Sequence, residues 1–358
     1  MTEKLTIRDI ARLAGVSKST VSRVLNAHSN VDAATRERIL NVMQEHGFMP
    51  NAAATGLAKG HNPLIGLLVP ALTWELVTDV LQGVAAVIED TQYEIILYSA
   101  SPEKDFSFII DRMLATNMAV GLLALLHTQS PQHLVELHER GLPVVLINHV
   151  ASRANLPWVG IDNAAAASAA VRHLLDLGHR RIGCILGLPE IPCTHDRYQG
   201  YCQALHEAGL EVDPALVLQG DYTCEGGRHC ARQFFAMDTP PTAIFASNDL
   251  TAYGVLQAAE EQGIRIPEDV ALVGFDDIPP SAHVQPPLTT IHHPFKEMGR
   301  HAAQLLLTLI NQRDVYSNRR KKGQVAPVEE QITPSHIILP THLVVRKSCG
   351  ATFTINSI

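Results

Sequence analysis

The chain has 358 residues, 46% of them hydrophobic and 18% charged, which is enough to bury the cores of two or three domains. It has no run of about 18 apolar residues and no apolar segment near Met1, which argues against membrane insertion and export and predicts a cytoplasmic protein. Residues 1–62 carry 8 basic and 5 acidic residues, net +3, whereas the remainder carries 20 and 31, net −11. A basic amino-terminal segment on an otherwise acidic chain suits a protein that contacts nucleic-acid phosphates through that segment.

Residues 6–26 predict two short helices joined by a turn. Thr6 and Asp9 resemble a capping box, Gly15 ends the first helix, and Ser17 can cap the second. The apolar residues recur at the spacing of one helix face, namely Ile7, Ile10, Ala11 and Ala14, then Val21, Val24 and Leu25.

The second of these helices has a polar arc of about 140° at 3.6 residues per turn, directed away from its apolar face. The arc consists of Lys18, Ser19, Ser22 and Arg23. Such a helix fits a major groove, where Arg and Lys read guanine and hydroxyls read several bases. The alternative is a helical hairpin with a solvated polar face.

A third helix is predicted after the capping residue Asp32, and Pro50 stops it. Its inward-facing residues are Ile39, Val42 and Met43. The segment 47–62 that follows is rich in alanine but has almost nothing large to bury, and Gly56 weakens it further. We expect a helix there only when a partner orders it. The alternative is a plain linker.

From residue 63 onwards, short β-rich apolar runs alternate with helical stretches. The predicted strands are 64–69, 93–99, 120–126, 143–148, 181–187, 242–248 and 270–276, and the predicted helices include 76–90, 132–140, 164–178, 197–209 and 250–262. This alternation predicts doubly wound parallel sheets, with a ligand at the carboxyl ends of the strands. About 280 residues exceed one core, so two lobes are expected.

The polar region 311–331 has no apolar period and contains the basic run 319–322, so it is predicted to be an exposed loop. Nucleic-acid contact by the basic run is the alternative. The apolar run 342–346 then returns the chain to one lobe.

Motifs of known chemistry are scarce. Cys224, His229 and Cys230 lack a fourth metal ligand, and the 18 histidines include no HExxH spacing. The chain also has no GxGxxG after a strand, no phosphate-binding loop and no GxSxG. The six cysteines show no paired CxxC pattern and are expected to be reduced thiols. We therefore expect no metal, no cofactor and no enzymatic activity.

Several longer motifs resemble the lactose-repressor (LacI/GalR) family of bacterial transcription regulators over nearly the whole chain. They are TIRDIARLAGVSKSTVSRVLN (6–26), TRERI (35–39), PNAAATGLA (50–58), DLGHRRI (176–182), RYQGY (197–201), PTAIFASND (241–249), VALVGFDD (270–277), PPLTTI (286–291) and LPTHLVVRKS (339–348). The resemblance implies an α/β fold with an amino-terminal helix-turn-helix and a two-lobed, periplasmic-binding-protein-like domain of doubly wound parallel sheets.

The implied domains are a helix-turn-helix at 1–47, a hinge helix and linker at 48–62, and an effector-binding and dimerisation domain at 63–358. Within the last, the implied N-lobe comprises about 63–161 and 293–330. The implied C-lobe comprises about 162–292 and 331–346.

The resemblance also implies a set of DNA-binding residues. Lys18, Ser19 and Arg23 match base-reading positions, and Leu57 matches the hinge-helix leucine that wedges into the minor groove and bends the duplex. Positions near the phosphates are matched by Ser17, Ser22, Asn26 and Thr35, and Thr6, Asn51 and Ala58 complete the set.

In the implied cleft between the lobes, Arg197, Asn248 and Asp276 match effector-binding motifs and together suit vicinal hydroxyls. Trp74 and Phe295 offer flat faces for a sugar ring. Asn148 adds a fourth polar contact. Each residue also has a structural alternative, such as a turn cap, a surface ion pair or a core position.

His293 stands where many relatives have Gln. A titrating ring at this position would make effector binding depend on pH near 6 to 7. The alternative is a neutral ring that fills the same space.

The expected function is a homodimeric repressor that binds a pseudo-palindromic operator and is released by a small-molecule effector, a mono- or disaccharide, bound between the lobes. The alternatives are a co-repressor-dependent regulator, as for purines in some relatives, and a sugar-binding protein or enzyme on the same fold. No membrane partner is expected.

Overall fold

The computed structural model of the chain describes residues 5–25, 30–48, 64–70, 72, 74–99, 119–125, 132–148, 156–321 and 336–351. The chain divides into two compact units, Met1–Pro63 and Leu64–Ile358. Within the described ranges, no helix is both long and apolar enough to cross a membrane.

The amino-terminal unit contains α1 (Ile7–Leu13), α2 (Lys18–Leu25) and α3 (Ala33–Glu45). The predicted caps are present at α1 and α3, since Thr6 and Asp9 form a reciprocal capping box and Asp32 accepts the Thr35 N–H at 2.8 Å. Gly15 has a φ of 64°, which suits glycine in the turn between α1 and α2. A small core holds the three helices together, and its buried members are Ile10, Ala11, Ala14, Val21, Val24, Ile39 and Met43.

The described strands of the second unit form two six-stranded sheets. The first has the order β11-β5-β4-β3-β1-β2 and is parallel throughout. Its strands are β1 (Leu64–Val69), β2 (Glu94–Ser99), β3 (Gly121–Leu125), β4 (Val144–Ile147), β5 (Trp158–Ile161) and β11 (His336–Leu339).

The second sheet has the order β12-β10-β9-β8-β6-β7, and only β12 runs antiparallel to its described neighbour. Its strands are β6 (Ile182–Leu186), β7 (Val217–Gln219), β8 (Ala243–Ala246), β9 (Ala271–Asp276), β10 (Thr289–His292) and β12 (His342–Val344). The central strands of both sheets are buried along their length, which explains their continuous apolar sequences.

Helices cover the sheets, and short 3-10 turns precede β7 at Pro214–Leu216 and follow β9 at Pro279–Ala282. The helices are α4 (Glu75–Ile88), α5 (Gln132–Glu139), α6 (Asn163–Asp176), α7 (Pro192–Glu207), α8 (Cys224–Phe235), α9 (Asp249–Gln262) and α10 (Phe295–Lys321). The α/β class with doubly wound sheets is therefore confirmed. The chain passes between the sheets after β5, after β10 and after β11, so each lobe is built from separate stretches of sequence.

Two sequence predictions are corrected here. The region 311–331 is not a loop over its first half, because α10 continues through Lys321; residues 311–321 contain no Gly or Pro to stop it. The rest of that region lies outside the described residues. The assignment of 331–346 to the C-lobe is wrong for β11, which pairs with β5 in the first sheet, where His336 stacks on Trp158 at 4.9 Å.

Candidate functional site

The outward face of α2 carries the residues predicted to read bases. Val21 and Val24 turn into the core, which leaves Lys18, Ser19 and Arg23 exposed on the other side of the helix. The buried pair therefore fixes the rotation of α2 about its axis. The exposed side presents two cations and a hydroxyl, which are donors suited to base edges and phosphates.

The remaining predicted DNA contacts lie mostly at helix starts. Ser17 Oγ accepts the Thr20 N–H at 3.1 Å and lies 2.7 Å from Ser19 Oγ. Thr6 donates its hydroxyl to Asp9 at 2.6 Å, and the N–H of Thr35 donates to the capping residue Asp32 at the start of α3. Ser22 lies half-buried on α2. The predicted contacts Asn26, Asn51, Leu57 and Ala58 lie outside the described residues.

A cavity of about 360 Å³ opens within the second unit, at the carboxyl ends of strands from both sheets. Six of the seven predicted effector residues line it, and they are Trp74, Asn148, Arg197, Asn248, Asp276 and Phe295. The cavity lies where doubly wound sheets bind ligands, because the loops after parallel strands meet at one edge. Asn148 follows β4, Asn248 follows β8 and Asp276 ends β9.

Arg197 on α7 is almost fully buried in the cavity wall. Its Nε donates to Asn163 Oδ1 at 3.0 Å, its Nη1 donates to the Ser247 carbonyl, and its Nη2 lies 3.4 Å from Asp276 Oδ1. The guanidinium also stacks 3.6 Å above the ring of Phe275. These contacts fix its plane while leaving other N–H groups of the five-donor fork available to a ligand.

Asp276 supplies the carboxylate beside Arg197 in the cavity wall. Its Oδ1 contacts both Arg197 and the Nδ1 of His293, the latter at 3.2 Å, whereas Oδ2 has no hydrogen-bond partner among the described residues. A carboxylate held by one oxygen presents the other as an acceptor. The pair of Asp276 and Arg197 therefore offers an acceptor beside donors, which matches a hydroxyl group.

His293 is not among the residues that line the cavity, and its contact with an effector stays a prediction. It lies behind Asp276, with its ring stacked on Phe295 at 3.9 Å and edge-on to Phe275 at 6.0 Å. Burial lowers the pKa of His293, so the ring is neutral at neutral pH and its Nδ1–H donates to Asp276. This arrangement agrees with the alternative of a neutral, space-filling ring.

Asn248 has a structural task as well as a place in the wall. Its Oδ1 caps α9 by accepting the Thr251 N–H at 2.9 Å, and its Nδ2 donates to the Tyr222 carbonyl at 3.1 Å. Because both ends of the amide are engaged, Asn248 holds the loop after β7 against α9. Asn248 can bind a ligand only through the Oδ1 lone pair and the Nδ2 hydrogen that these two bonds do not use.

Sequence reasoning missed the loop after β7, because Val217–Gln219 is too short to stand out as a strand. Tyr222 of this loop has a left-handed φ of 66°, lines the cavity and bonds through its hydroxyl to Thr194 at 2.7 Å. Its polar tip is thus turned into the wall. The strand-end rule would have found it had β7 been recognised. The other missed lining residues are Leu76, Leu188, Ile191, Cys193, Asp221, Thr223, Leu250 and Ile278.

Comparison with family models identifies both parts of the chain. Residues 6–51 match the model of bacterial regulatory proteins, lacI family, and residues 171–349 match that of the periplasmic binding protein-like domain. The HTH-type transcriptional repressor CytR of Escherichia coli (strain K12) is 35% identical over 316 residues, which are 88% of this chain and 92% of that protein. Catabolite control protein A of Priestia megaterium is 33% identical over 88% of this chain and 95% of its own.

Solved structures agree with these matches. The lac repressor dimer bound to operator and the anti-inducer ONPF has a TM-score of 0.81 at 25% identity, covering 97% of this chain and 99% of that one. The complex of the transcriptional regulator CelR with cellobiose has a TM-score of 0.70 at 30% identity, covering 96% and 99%.

These relatives are transcription regulators by name and not enzymes, in agreement with the expectation from the motifs. The helix-turn-helix at the amino end and the two largely parallel sheets beside the cavity are explained by the same relationship. The chain is a member of the lacI family of bacterial regulatory proteins.

Proposed function

We propose that this chain is a transcriptional repressor that binds a pseudo-palindromic operator as a homodimer and releases it when a sugar binds in the cavity. Residues 1–47 would bind DNA, 48–62 would form the hinge helix and linker, and 63–358 would bind the effector and dimerise. A protein with this role acts in the cytoplasm, where the chromosomal DNA is. The cavity with the Arg197 and Asp276 pair carries the effector half of the proposal.

The cavity chemistry supports a sugar. Sugar hydroxyls donate and accept at once, and they find an acceptor in Asp276 Oδ2 and donors in Arg197. The rings of Trp74, Tyr222 and Phe295 in the wall supply apolar surface for the C–H side of a sugar. The volume of about 360 Å³ lies within the range of small-molecule pockets. The CelR structure, a relative with cellobiose, points the same way.

An open groove on the second unit supports dimerisation. It lies between α9 and the segment 280–286 and includes half-buried apolar side chains such as Tyr253, Leu256 and Val284. Apolar surface of this kind is commonly covered by a partner. We propose a second copy of this chain as that partner, and the relative solved on operator is a dimer. Two-fold symmetry in the protein implies two-fold symmetry in the operator.

The proposal is tested in two steps. A thermal-shift screen with D-ribose, D-galactose, cellobiose, adenine and hypoxanthine identifies a compound that raises the unfolding temperature of the full chain. Asp276→Asn and Arg197→Lys should reduce that rise, whereas Asp238→Asn on the exposed surface should leave it unchanged.

The compound is then added to a gel-shift assay with the operator selected from random DNA. Release of the DNA supports an inducer. Tighter binding would instead establish the co-repressor alternative. A rise in unfolding temperature with adenine or hypoxanthine alone would contradict the sugar assignment.

A further inference from the structure

The turn after β9 has an unusual backbone. Asp276 and Asp277 have φ values of 112° and 57°, a region that residues other than glycine rarely adopt. Such a turn persists only where its surroundings hold it in place. Because Asp276 belongs to the turn, the conformation of the turn sets where the carboxylate points.

Asp249 holds this turn from behind. It lies in the first turn of α9, is fully buried and does not line the cavity. Its Oδ2 accepts the Ile278 N–H at 3.0 Å and the Ser281 hydroxyl at 2.6 Å. Its Oδ1 accepts the Thr290 hydroxyl at 2.6 Å.

Thr290 extends this network by one step, because its hydroxyl oxygen accepts the Asp277 N–H at 3.4 Å. The amides of the two residues after Asp276 are thus bound to Asp249, one directly and one through a hydroxyl. Gly274 of β9 makes room for the carboxylate, since a Cβ there would overlap Asp249 Oδ1.

The electrostatics show that the burial of Asp249 is unfavourable for its charged form. Burial, followed by the nearby charge of Asp276, raises the pKa of Asp249 to about 7. The neutral hydroxyls of Ser281 and Thr290 and the Ile278 amide oppose that shift, and Tyr253 joins the network through Ser281 at 2.7 Å. A helix cap alone does not require a carboxylate here, because Asn248 already caps α9.

We infer that Asp249 is a positioning residue for effector binding, which holds the 276–278 turn so that the Asp276 carboxylate faces the cavity beside Arg197. The inference rests on the proposed effector function of the cavity. It assigns a role to a residue that does not line the cavity.

The first test needs no ligand. Hydrogen–deuterium exchange is measured on the full chain for the peptide that contains the Asp277 and Ile278 amides. Asp249→Asn keeps the side-chain shape but removes acceptor capacity, so these amides should exchange about tenfold faster than in the parent. Thr251→Val, a near-isosteric change at a fully buried position of the same helix turn, should leave them unchanged. Equal exchange in Asp249→Asn and the parent would overturn the inference.

The second test is a double-mutant cycle on affinity, using whichever of D-ribose, D-galactose, cellobiose, adenine or hypoxanthine stabilises the parent most. Asp249→Asn should weaken binding of that compound about tenfold, and should add nothing further in an Asp276→Asn background. Equal loss in both backgrounds would mean a general structural role and would refute the inference.

Two further outcomes keep the proposals separate. If no compound of the panel binds the parent, the proposed effector function fails, whereas the exchange test still decides the positioning role. If Asp249→Asn does not fold, Ser281→Ala removes one donor from the same carboxylate and should give the same pattern with smaller changes.

Discussion

At the scale of single residues, the side chains of α2 divide sharply into two faces. Val21 and Val24 pack into the helical core, whereas Lys18 and Arg23 extend into solvent. The spacing of the apolar residues already determines this division, because a helix with one buried stripe has no other way to orient. The chemistry of the exposed face could therefore be predicted from the sequence.

Replacing Arg23 by Ala should change the base preferred at one operator position, at ~1–3 kcal/mol for a lost bidentate contact. Selection of operators from a random pool, followed by binding titrations at several salt concentrations, measures this. Arg12→Ala on the outer side of α1 is the control and should leave the preference unchanged. If Arg23→Ala alters only the slope of affinity against salt, Arg23 is a phosphate contact instead.

The surroundings of His293 could not be predicted from the sequence. The motif TTIHHPF marks the position, but the sequence does not reveal that the ring stacks on Phe295 and lies behind Asp276. Which side of β10 faces the cavity depends on how the chain crosses between the sheets. That crossing is a tertiary property.

The buried His293 predicts a pH effect on stability. The pKa of His293 is lowered in the folded chain. Below about pH 6.5, the imidazole is therefore protonated in the unfolded chain while it is still neutral in the folded chain, and the unfolding free energy falls. His293→Gln should flatten this part of the curve of unfolding free energy against pH, by at most ~1.4 kcal/mol per pH unit. Denaturant unfolding from pH 5 to 8 measures it, with exposed His283→Gln as the control. An unchanged slope in His293→Gln would contradict the assignment of a neutral ring.

At the scale of elements, glycines decide how closely helices approach each other. Gly83 of α4 and Gly299 of α10 lie where these two helices meet, and a Cβ at either position would overlap backbone atoms of the other helix. The sequence predicts α4 from its apolar spacing. It does not predict the partner of α4, because α10 is more than 200 residues later in the chain.

Gly299→Ala should therefore lower the unfolding free energy by ~1–3 kcal/mol, despite the higher helix propensity of alanine, because the inserted methyl forces α4 and α10 apart. Urea unfolding measures the change. Gln304→Ala, exposed on the same helix, should have almost no effect. Stabilisation by Gly299→Ala would mean that propensity dominates and that the two helices separate at little cost.

The hinge segment provides a second prediction at this scale, made from the sequence. Leu57→Ala should weaken operator binding while the second unit remains folded, since a wedge leucine makes its contacts only in bent DNA. Gel-shift titration together with thermal unfolding separates the two effects. Equal operator affinity for mutant and parent would remove Leu57 from the DNA interface.

At the scale of the whole molecule, the proposed dimer brings together the helix-turn-helix of each of its two copies. Leu256→Glu would place a charge in the apolar groove beside α9, so it should shift the chain toward the monomer and weaken operator binding together. Analytical ultracentrifugation and gel shift measure both. Leu177→Glu, at an exposed leucine outside this groove, is the control. A dimer that survives Leu256→Glu with unchanged affinity would move the interface elsewhere.

The sequence by itself determined the helix-turn-helix, its caps, seven of the strands and six of the cavity residues. These depend on local signals: helical spacing, capping residues, continuous apolar runs, and the rule that loops after parallel strands carry the ligand. Arg197 and Asp276 lie 79 positions apart, yet each could be placed by its own motif and strand end.

Only the tertiary structure decided which lobe receives β11, how far α10 extends and which groups stand behind the cavity wall. β7 has only three residues, too few to show a period, and β11 pairs with β5, which lies far from it in the sequence. The role of Asp249 is of the same kind. The three partners of Asp249 come from the turn after β9 and from β10. No local sequence pattern therefore indicates that the Asp249 carboxylate holds the turn that orients the Asp276 carboxylate.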